Sequence, residues 1–409
     1  MWNAVIAGAG PAGAAAACVL ARAGRRVLLA DADEEGFRVG EALHGAARPL
    51  LREIGAELPA AGGPHALIGG NLSGWGSDAL VAHDFMADPA GASWRLDRTR
   101  FDADLRVAAV RAGAQHGTSR VADVGCDGDV WRVRLENGTT ATAHWLVDAT
   151  GRRAAIARRQ GARRLRDARL VAVYALGDGG GLQLDRTLIE AAADGWWYAA
   201  RLPSGRLVGG FHTAPATAVR MMAEPDRWRN ALADTRHLAG LFGSATFERP
   251  LMSFDACGAR LDAVYGDGWI ACGDAALSFD PVAGQGILQA LHSGVGAARA
   301  VHAALDGDPA AELARYRTRL DQIRRVYVDR RRAAYRDEAR WPDAPFWAAM
   351  QRDREVLHDP AAVPGRHDAQ AKAGQVGVVL NNEFASRSNA GERAQSERFP
   401  SPAPAFSAR

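Results

Sequence analysis

The chain reads WNAVIAGAGPAGAAAACVLARAGRRVLLADAD over residues 2–33, and this segment sets the architecture of everything that follows. A short apolar run at residues 4–7 leads into a glycine-rich turn at residues 8–13, and an alanine-rich stretch comes next. A second apolar run at residues 27–30 ends on Asp31. The pattern predicts a strand, a tight turn, a helix and a second strand, which together form one β-α-β unit.

The turn has the form G-x-G-x-x-G, and each glycine has its own task. Gly8 permits the sharp exit from the strand, Gly10 lets the backbone approach a pyrophosphate, and Gly13 lets the helix pack close to the sheet. The helix N-terminus offers unpaired N–H groups and a positive dipole end to the phosphates. Asp31 is placed to bind a ribose. We interpret the unit as a nucleotide site, with a structural turn as the alternative, and it leaves NAD and FAD equally open.

Composition narrows the class of protein. The 409 residues are 48% apolar and 24% charged, and the net charge is +3, so nothing predicts a nucleic-acid partner. The four cysteines, Cys18, Cys126, Cys257 and Cys272, form no metal-binding pattern and suggest free thiols in a reducing compartment. Without a signal peptide or an apolar run of roughly 18 residues, we expect a cytoplasmic protein without a membrane span.

Two later stretches complete a larger pattern. Val147–Asp148–Ala–Thr–Gly151 ends a predicted strand with a glycine turn. Gly273–Asp274 follows another buried strand, and Pro281 and the turn at residues 284–286 open a long predicted helix. The order and spacing of the three stretches resemble the FAD-dependent monooxygenases related to p-hydroxybenzoate hydroxylase and the flavin-dependent halogenases that share their fold. The resemblance covers roughly residues 2–350.

This resemblance implies FAD as the cofactor and an α/β fold, in which a Rossmann-type FAD-binding domain is interlocked with an α+β substrate domain carrying an antiparallel sheet. The expected FAD-binding domain comprises residues 1–66, 97–162 and 258–306, and the substrate domain comprises residues 67–96 and 163–257. Helices are expected at residues 307–357 and a disordered tail at residues 358–409. The implied cofactor-binding residues are Gly8, Gly10, Pro11, Ala12, Gly13, Asp31, Glu41, Arg98, Asp148, Gly151, Gly273, Asp274, Pro281, Gly284, Gln285 and Gly286.

Two of these residues have an ordinary structural alternative. Arg98 resembles the arginine that contacts the cofactor in the superfamily, and an ion pair with Asp102 at a helix start is the alternative. Glu41 resembles the family's Gly-Glu segment along the flavin, and a helix-capping carboxylate is the alternative. The hydroxylases also place a Ser and an Arg after the aspartate–glycine motif to bind NAD(P)H. Here Arg152 follows at once and the Ser is absent, so the electron donor is either NAD(P)H or a flavin reductase.

Halogenases of this superfamily use a lysine to receive hypohalous acid and a Trp-x-Trp-x-Ile-Pro wall between flavin and substrate. Lys372, in the expected tail, is the only lysine in the chain. Tyr198 and Ala200 stand at the expected tryptophan positions. Arginine does not replace the lysine, because its guanidinium stays protonated. The chain therefore resembles the halogenase-like branch that lacks this lysine.

The resemblance then implies hydroxylation of an aromatic, indole- or tryptophan-type substrate by O2 through a flavin C4a-hydroperoxide. One such subgroup hydroxylates a protein tryptophan during maturation of quinone cofactors, and a small indole is the competing substrate. A tryptophan-type halogenase, a geranylgeranyl-reductase-like oxidoreductase and a non-catalytic FAD protein are the alternatives. The candidate substrate residues, each of which could instead be core, are Trp75, Trp196, Trp197, Tyr198 and His212. His44 is a weaker catalytic candidate, and no general acid or base can be assigned.

Overall fold

A computed structural model describes residues 1–32, 36–59, 62–85, 88–179, 184–242, 245–248 and 250–352. The strands in chain order are β1 (Trp2–Ala7), β2 (Val27–Ala30), β3 (Ala42–Leu43), β4 (Ala66–Ile68), β5 (Gly70–Gly74), β6 (Val81–Asp84), β7 (Ser93–Arg95), β8 (Gln115–Gly117), β9 (Val121–Asp127), β10 (Val130–Leu135), β11 (Thr140–Asp148), β12 (Arg164–Arg166), β13 (Val171–Asp178), β14 (Arg186–Ala192), β15 (Gly195–Arg201), β16 (Leu207–Thr213), β17 (Thr246–Phe247), β18 (Met252–Asp255), β19 (Ala259–Leu261), β20 (Tyr265–Gly266), β21 (Trp269–Ala271) and β22 (Leu277–Ser278). The helices are α1 (Pro11–Arg22), α2 (Arg48–Glu53), α3 (Arg98–Arg111), α4 (Ala155–Arg159), α5 (Pro215–Ala223), α6 (Asp226–Ala233), α7 (Leu238–Phe242), α8 (Gly286–Leu305), α9 (Pro309–Asp337) and α10 (Pro345–Gln351).

The first large sheet has the order β20-β21-β11-β1-β2-β8, with the hairpin of β9 and β10 attached to β11. β1 pairs in parallel with β2 and with β11, and α1 crosses between β1 and β2, so the predicted β-α-β unit is confirmed. The carboxyl ends of β1, β2, β11 and β21 therefore meet at one edge. In sheets of this kind ligands bind at that edge.

The second large sheet has the order β17-β13-β16-β15-β14-β5-β6, with β18 also paired to β13. Its pairs are antiparallel except for β5 and β14, which run in parallel. One face packs a core that includes Trp228 of α6 and Phe242 of α7. The other face packs against Tyr335 of α9 and Trp347 of α10 and also faces Val282, between the first large sheet and α8. The predicted fold class, a Rossmann-type domain interlocked with an antiparallel-sheet domain, is confirmed.

Among the described residues, the C-terminal region expected to be helical at residues 307–357 contains two helices, because α9 ends at Asp337 and α10 begins at Pro345. Two prolines, Pro342 and Pro345, stand in or at the end of this break, where a continuous helix would need their missing N–H groups. The proposed domain boundaries remain a prediction, and the tail lies outside the described residues. Within the described part of the chain, no helix is long and apolar enough to span a membrane.

Candidate active site

The first glycine turn has two packed glycines and one that faces open space. Gly8 has φ +102°, and a Cβ there would lie 2.3 Å from the Ala149 carbonyl oxygen. A Cβ on Gly13 would lie 1.9 Å from the Gly8 carbonyl oxygen. A Cβ on Gly10, just before α1, would meet nothing within 4 Å. The turn therefore keeps free space in front of the helix N-terminus, which suits a pyrophosphate.

Asp31 closes the same turn from the end of β2. Its Oδ2 accepts a hydrogen bond of 2.6 Å from the Ala9 N–H, and its Oδ1 accepts one of 2.7 Å from the Ala32 N–H. The half-buried carboxylate thus holds the glycine loop beside the end of the sheet. Its contact with a ribose remains a prediction.

Asp148, at the end of β11, lies deeper than the sequence suggested. Its side chain is fully buried, Oδ1 accepts from the N–H and hydroxyl of Thr150, and Oδ2 accepts from the N–H groups of Ile156 and Ala157. These bonds cap α4 and fix the turn at Gly151, which has φ +64°. Both oxygens of Asp148 are therefore bound within the protein, so the described contacts give the side chain a role in positioning the loop, and its contact with the cofactor remains a prediction.

The third stretch packs directly onto the first. A Cβ on Gly273 would lie 2.7 Å from the Cβ of Ala12, and the Gly273 N–H donates to the Ser293 hydroxyl at 2.8 Å. Asp274 keeps 34% of its side chain exposed and pairs with the Arg152 guanidinium at 3.3 Å. Arg152, which directly follows the aspartate–glycine motif, thus holds Asp274, one of the implied cofactor-binding residues.

The start of α8 forms a second open N-terminus. Pro281 and Gly284 line a cavity, Gln285 is buried at the N-cap position, and no atom lies within 4 Å of a Cβ built on Gly284 or Gly286. The 20-residue helix directs its positive dipole end toward this space. The N-termini of α1 and α8 thus both have glycines that face open space. This pair fits a dinucleotide that has a pyrophosphate and an electron-accepting ring.

Arg98 and Glu41 each have an expected cofactor contact and a structural alternative, and the structure tests the alternatives. Arg98 donates to both oxygens of Asp102, at 3.1 and 3.0 Å, and to the carbonyl oxygens of Val39 and Gly40, at 2.7 and 2.8 Å. The ion pair with Asp102 is confirmed, and the contact of Arg98 with the cofactor remains a prediction. Glu41 caps no helix, so the capping alternative is wrong.

Glu41 instead belongs to a buried polar group at the cavity, which we call the Glu41 network. Its carboxylate accepts a short hydrogen bond from the Tyr198 hydroxyl and lies 3.5 Å from Arg95. Arg95 also donates to the Tyr198 oxygen at 2.9 Å and to the Thr187 hydroxyl at 3.0 Å. Burial lowers the pKa of Arg95, and the neighbouring Glu41 carboxylate offsets part of that shift. The group thus places the Tyr198 phenol and the Thr187 hydroxyl on the cavity wall, with the Arg95–Glu41 ion pair bound to them.

The cavity holds about 870 Å³ of empty space, counting the part that opens to solvent. Three predicted substrate residues, Trp75, Trp196 and Tyr198, line it. Pro281 and Gly284, just before α8, line the same cavity, so it extends from the N-terminus of α8 to the second large sheet. Sequence reasoning missed several lining residues, which are Leu43, Ile68, Asn71, Ser73, Phe85, Ser93, Thr187 and Ile189. Strict alternation along β5 and β14 is the signal that could have revealed Asn71, Ser73, Thr187 and Ile189.

Two other predicted substrate residues do not line the cavity. Trp197 alternates with Trp196 along β15 and packs on the opposite face, against Trp228 and Phe211. His212 is fully buried beneath Trp196, with the two rings stacked 3.7 Å apart. Neither residue lines the cavity, because Trp197 faces the other side of the sheet and His212 is covered by the ring of its cross-strand partner Trp196.

His44 lines the cavity, but both ring nitrogens are engaged. Nδ1 accepts from the Ala46 N–H at 3.1 Å, and Nε2 lies 3.0 Å from the Asp88 carboxylate. Burial lowers the pKa of His44. The described contacts therefore support a structural role that anchors the start of the 3-10 turn Gly45–Ala47.

Comparisons with known proteins agree with this geometry. The profile of the tryptophan halogenase family matches residues 81–388. LodB of Marinomonas mediterranea, which carries the name of an FAD-dependent oxidoreductase, is 31% identical over 85% of this chain and 96% of its own length. The solved structure of the peptidyl tryptophan dihydroxylase QhpG is 28% identical and covers 87% of this chain and 80% of its own, with a TM-score of 0.68.

The myxobacterial chondrochloren halogenase CndH shares the fold, with a TM-score of 0.76 at 22% identity over 87% of each chain. These matches agree with the geometry of the site, in which the glycine turn at residues 8–13 and two open helix N-termini suit a dinucleotide. Together they identify the cofactor as FAD and the class as oxidoreductase. This chain belongs to the tryptophan halogenase family and is an FAD-dependent oxidoreductase.

Proposed function

We propose that this protein is a monooxygenase that hydroxylates an indole ring, namely a tryptophan side chain in a partner protein. O2 supplies the oxygen atom, and a separate flavin reductase or NAD(P)H supplies the electrons. A small indole compound is the competing substrate. The cofactor-binding residues named above hold FAD in this proposal, with Asp148 as a positioning residue.

The observation that carries the proposal is the chemistry of the cavity wall. Residues 1–371 contain no lysine, so none of the residues that line the cavity can supply the amine that halogenases use. Tyr198 and Thr187 of this wall bind the guanidinium of Arg95, which also lies 3.5 Å from Glu41. A guanidinium in that setting is a poor nucleophile. Oxygen transfer needs no such amine, whereas halogenation through a lysine does.

The comparisons support the choice of a protein-bound tryptophan. QhpG, whose name describes a peptidyl tryptophan dihydroxylase, is 28% identical to this chain and covers 87% of it. The cavity includes two tryptophan rings and several aliphatic side chains among its walls. Such walls suit a flat apolar ring and exclude water from the reacting atoms.

When bound and reduced, FAD supplies the activation of O2. The open N-terminus of α1 binds the phosphates, and that of α8 favours negative charge on the ring system. Trp75 and Trp196 orient the substrate ring.

Hydroxylation also removes a proton from the attacked ring carbon. Tyr198 can accept it at its phenolic oxygen while its own proton moves to Glu41 along the existing hydrogen bond. Arg95 stabilises the carboxylate before that transfer.

The structure of the Arg152 site favours a separate reductase. Arg152 donates to the carbonyl oxygens of Cys257 and Phe279 and pairs with Asp274, so its guanidinium is committed within the protein. A pyridine nucleotide that needed this arginine would have to displace those partners.

The test measures how O2 consumption is coupled to product. The FAD-loaded protein is supplied with a flavin reductase, NADH and a tryptophan-containing peptide, and O2 uptake, hydrogen peroxide and peptide mass are followed. We expect O2 uptake with peptide hydroxylation and less peroxide than without the peptide. Complete conversion of O2 to peroxide with unchanged peptide would overturn the proposal. Substrate reduction without O2 would instead identify a reductase.

A further inference from the structure

β7 presents two polar side chains on the same side, because residues two apart on a strand face the same way. Arg95 is the centre of the Glu41 network. Ser93 lines the cavity, is 3% exposed, and has no hydrogen-bond partner for its Oγ. Among the described residues that line the cavity, Ser93 alone has a buried side-chain polar atom without a partner.

The other buried polar groups of the wall are already engaged. The Tyr198 oxygen accepts from Arg95 and donates to Glu41, the Thr187 oxygen accepts from Arg95, and both nitrogens of His44 have partners. A buried hydroxyl without a partner is destabilising. Ser93 therefore offers the cavity an acceptor that the protein itself does not use.

We propose that Ser93 Oγ accepts a hydrogen bond from the ring N–H of the substrate and so makes the cavity selective for N–H heteroaromatic rings. This inference rests on the proposed function, because it assumes that the cavity holds the substrate ring. An indole has one in-plane donor, and its remaining edge is apolar. One acceptor among apolar and aromatic walls fixes the rotation of such a ring about its normal and thereby selects which carbon faces the flavin side.

The test compares two ligands of nearly the same shape, indole and benzothiophene, of which only indole has an N–H. Their dissociation constants are measured by calorimetry on the FAD-loaded wild type, Ser93→Ala and Ser73→Ala. Ser73 is the matched control, because it is a cavity serine that is only half-buried. We expect the wild type and Ser73→Ala to prefer indole about fivefold to tenfold and Ser93→Ala to lose that preference. Ser93→Ala should also melt no lower than the wild type, because it removes an unpaired buried hydroxyl.

Unchanged discrimination in Ser93→Ala would overturn the inference and leave the proposed function intact. An equal loss of affinity for both ligands, or a weakened FAD affinity with unchanged discrimination, would overturn it as well, since either assigns Ser93 to packing or to the cofactor. A wild type that binds neither ligand would overturn both this inference and the indole-type substrate.

Discussion

Tyr198→Phe removes the phenol that joins the cavity to Glu41 and changes little else. Hydrogen bonds to charged groups contribute about 1.5–3 kcal/mol each. Arg95 and Glu41 already lie 3.5 Å apart and can close on each other when the phenol is lost. We therefore expect the free energy of unfolding to fall by about 1–3 kcal/mol, less than the sum of two such bonds.

The effect on hydroxylation should be larger than the effect on stability. A positioned group that transfers a proton contributes about 10²–10⁴ in rate, which is roughly 3–5 kcal/mol of barrier. The assay is single-turnover hydroxylation of a tryptophan-containing peptide by the reduced, FAD-loaded protein, with FAD affinity and thermal unfolding measured on the same samples. Tyr198→Phe should keep its FAD affinity and lose at least about 100-fold in hydroxylation rate.

Tyr174→Phe is the matched control. Its hydroxyl is also buried and lies 3.3 Å from a nitrogen of His212, but Tyr174 does not line the cavity. This variant should lose stability without a comparable loss of rate. A Tyr198→Phe protein that hydroxylates within about twofold of the wild type, well below the range for proton-transfer groups, would refute the proton path through Glu41.

Three further predictions follow from the geometry. Gly10→Ala should weaken FAD binding without lowering the melting temperature, because a Cβ there meets no atom within 4 Å. Gly8→Ala should lower the melting temperature, because its Cβ would lie 2.3 Å from a backbone oxygen. Equal melting temperatures of the two variants would contradict this reasoning. Burial lowers the pKa of His212 to about 3. Between about pH 6.5 and 3 the unfolded chain therefore binds a proton that the native state does not, so the free energy of unfolding falls as the pH drops. His212→Phe should make the free energy of unfolding, measured in urea, depend less steeply on pH over this range. Asp280→Asn should cost about 3–5 kcal/mol in urea unfolding, because it leaves the buried Arg331 guanidinium, now 3.1 Å from the carboxylate, without its counter-charge; a loss below about 1 kcal/mol would show that Arg331 finds another partner.

The cofactor half of the protein could be predicted because its constraints are local. The glycines at residues 8, 10 and 13 act within one turn, and the strand and helix around them have clear apolar patterns. Asp148 was the exception. Its residue type and position suggested a ligand contact. That the N–H groups of Ile156 and Ala157 donate to its carboxylate can be seen only in the three-dimensional structure.

The substrate half was harder to predict because its site is assembled from distant segments. Glu41, Arg95 and Tyr198 lie on three separate segments of the chain, and nothing in the sequence between them indicates that they meet. Trp197 could have been set aside from sequence, because alternation along a strand places it opposite Trp196. His212 could not, because its burial depends on a cross-strand pairing and a ring stack.

The identity of the atom added to the substrate tests the central claim most directly. The FAD-loaded protein, its reductase and a candidate partner protein are incubated under isotopically labelled O2 with bromide present, and the target tryptophan is analysed by mass spectrometry. Labelled oxygen on the indole ring, with no bromine, is the predicted result. Bromine on the ring would contradict the proposal that a cavity without a lysine transfers oxygen.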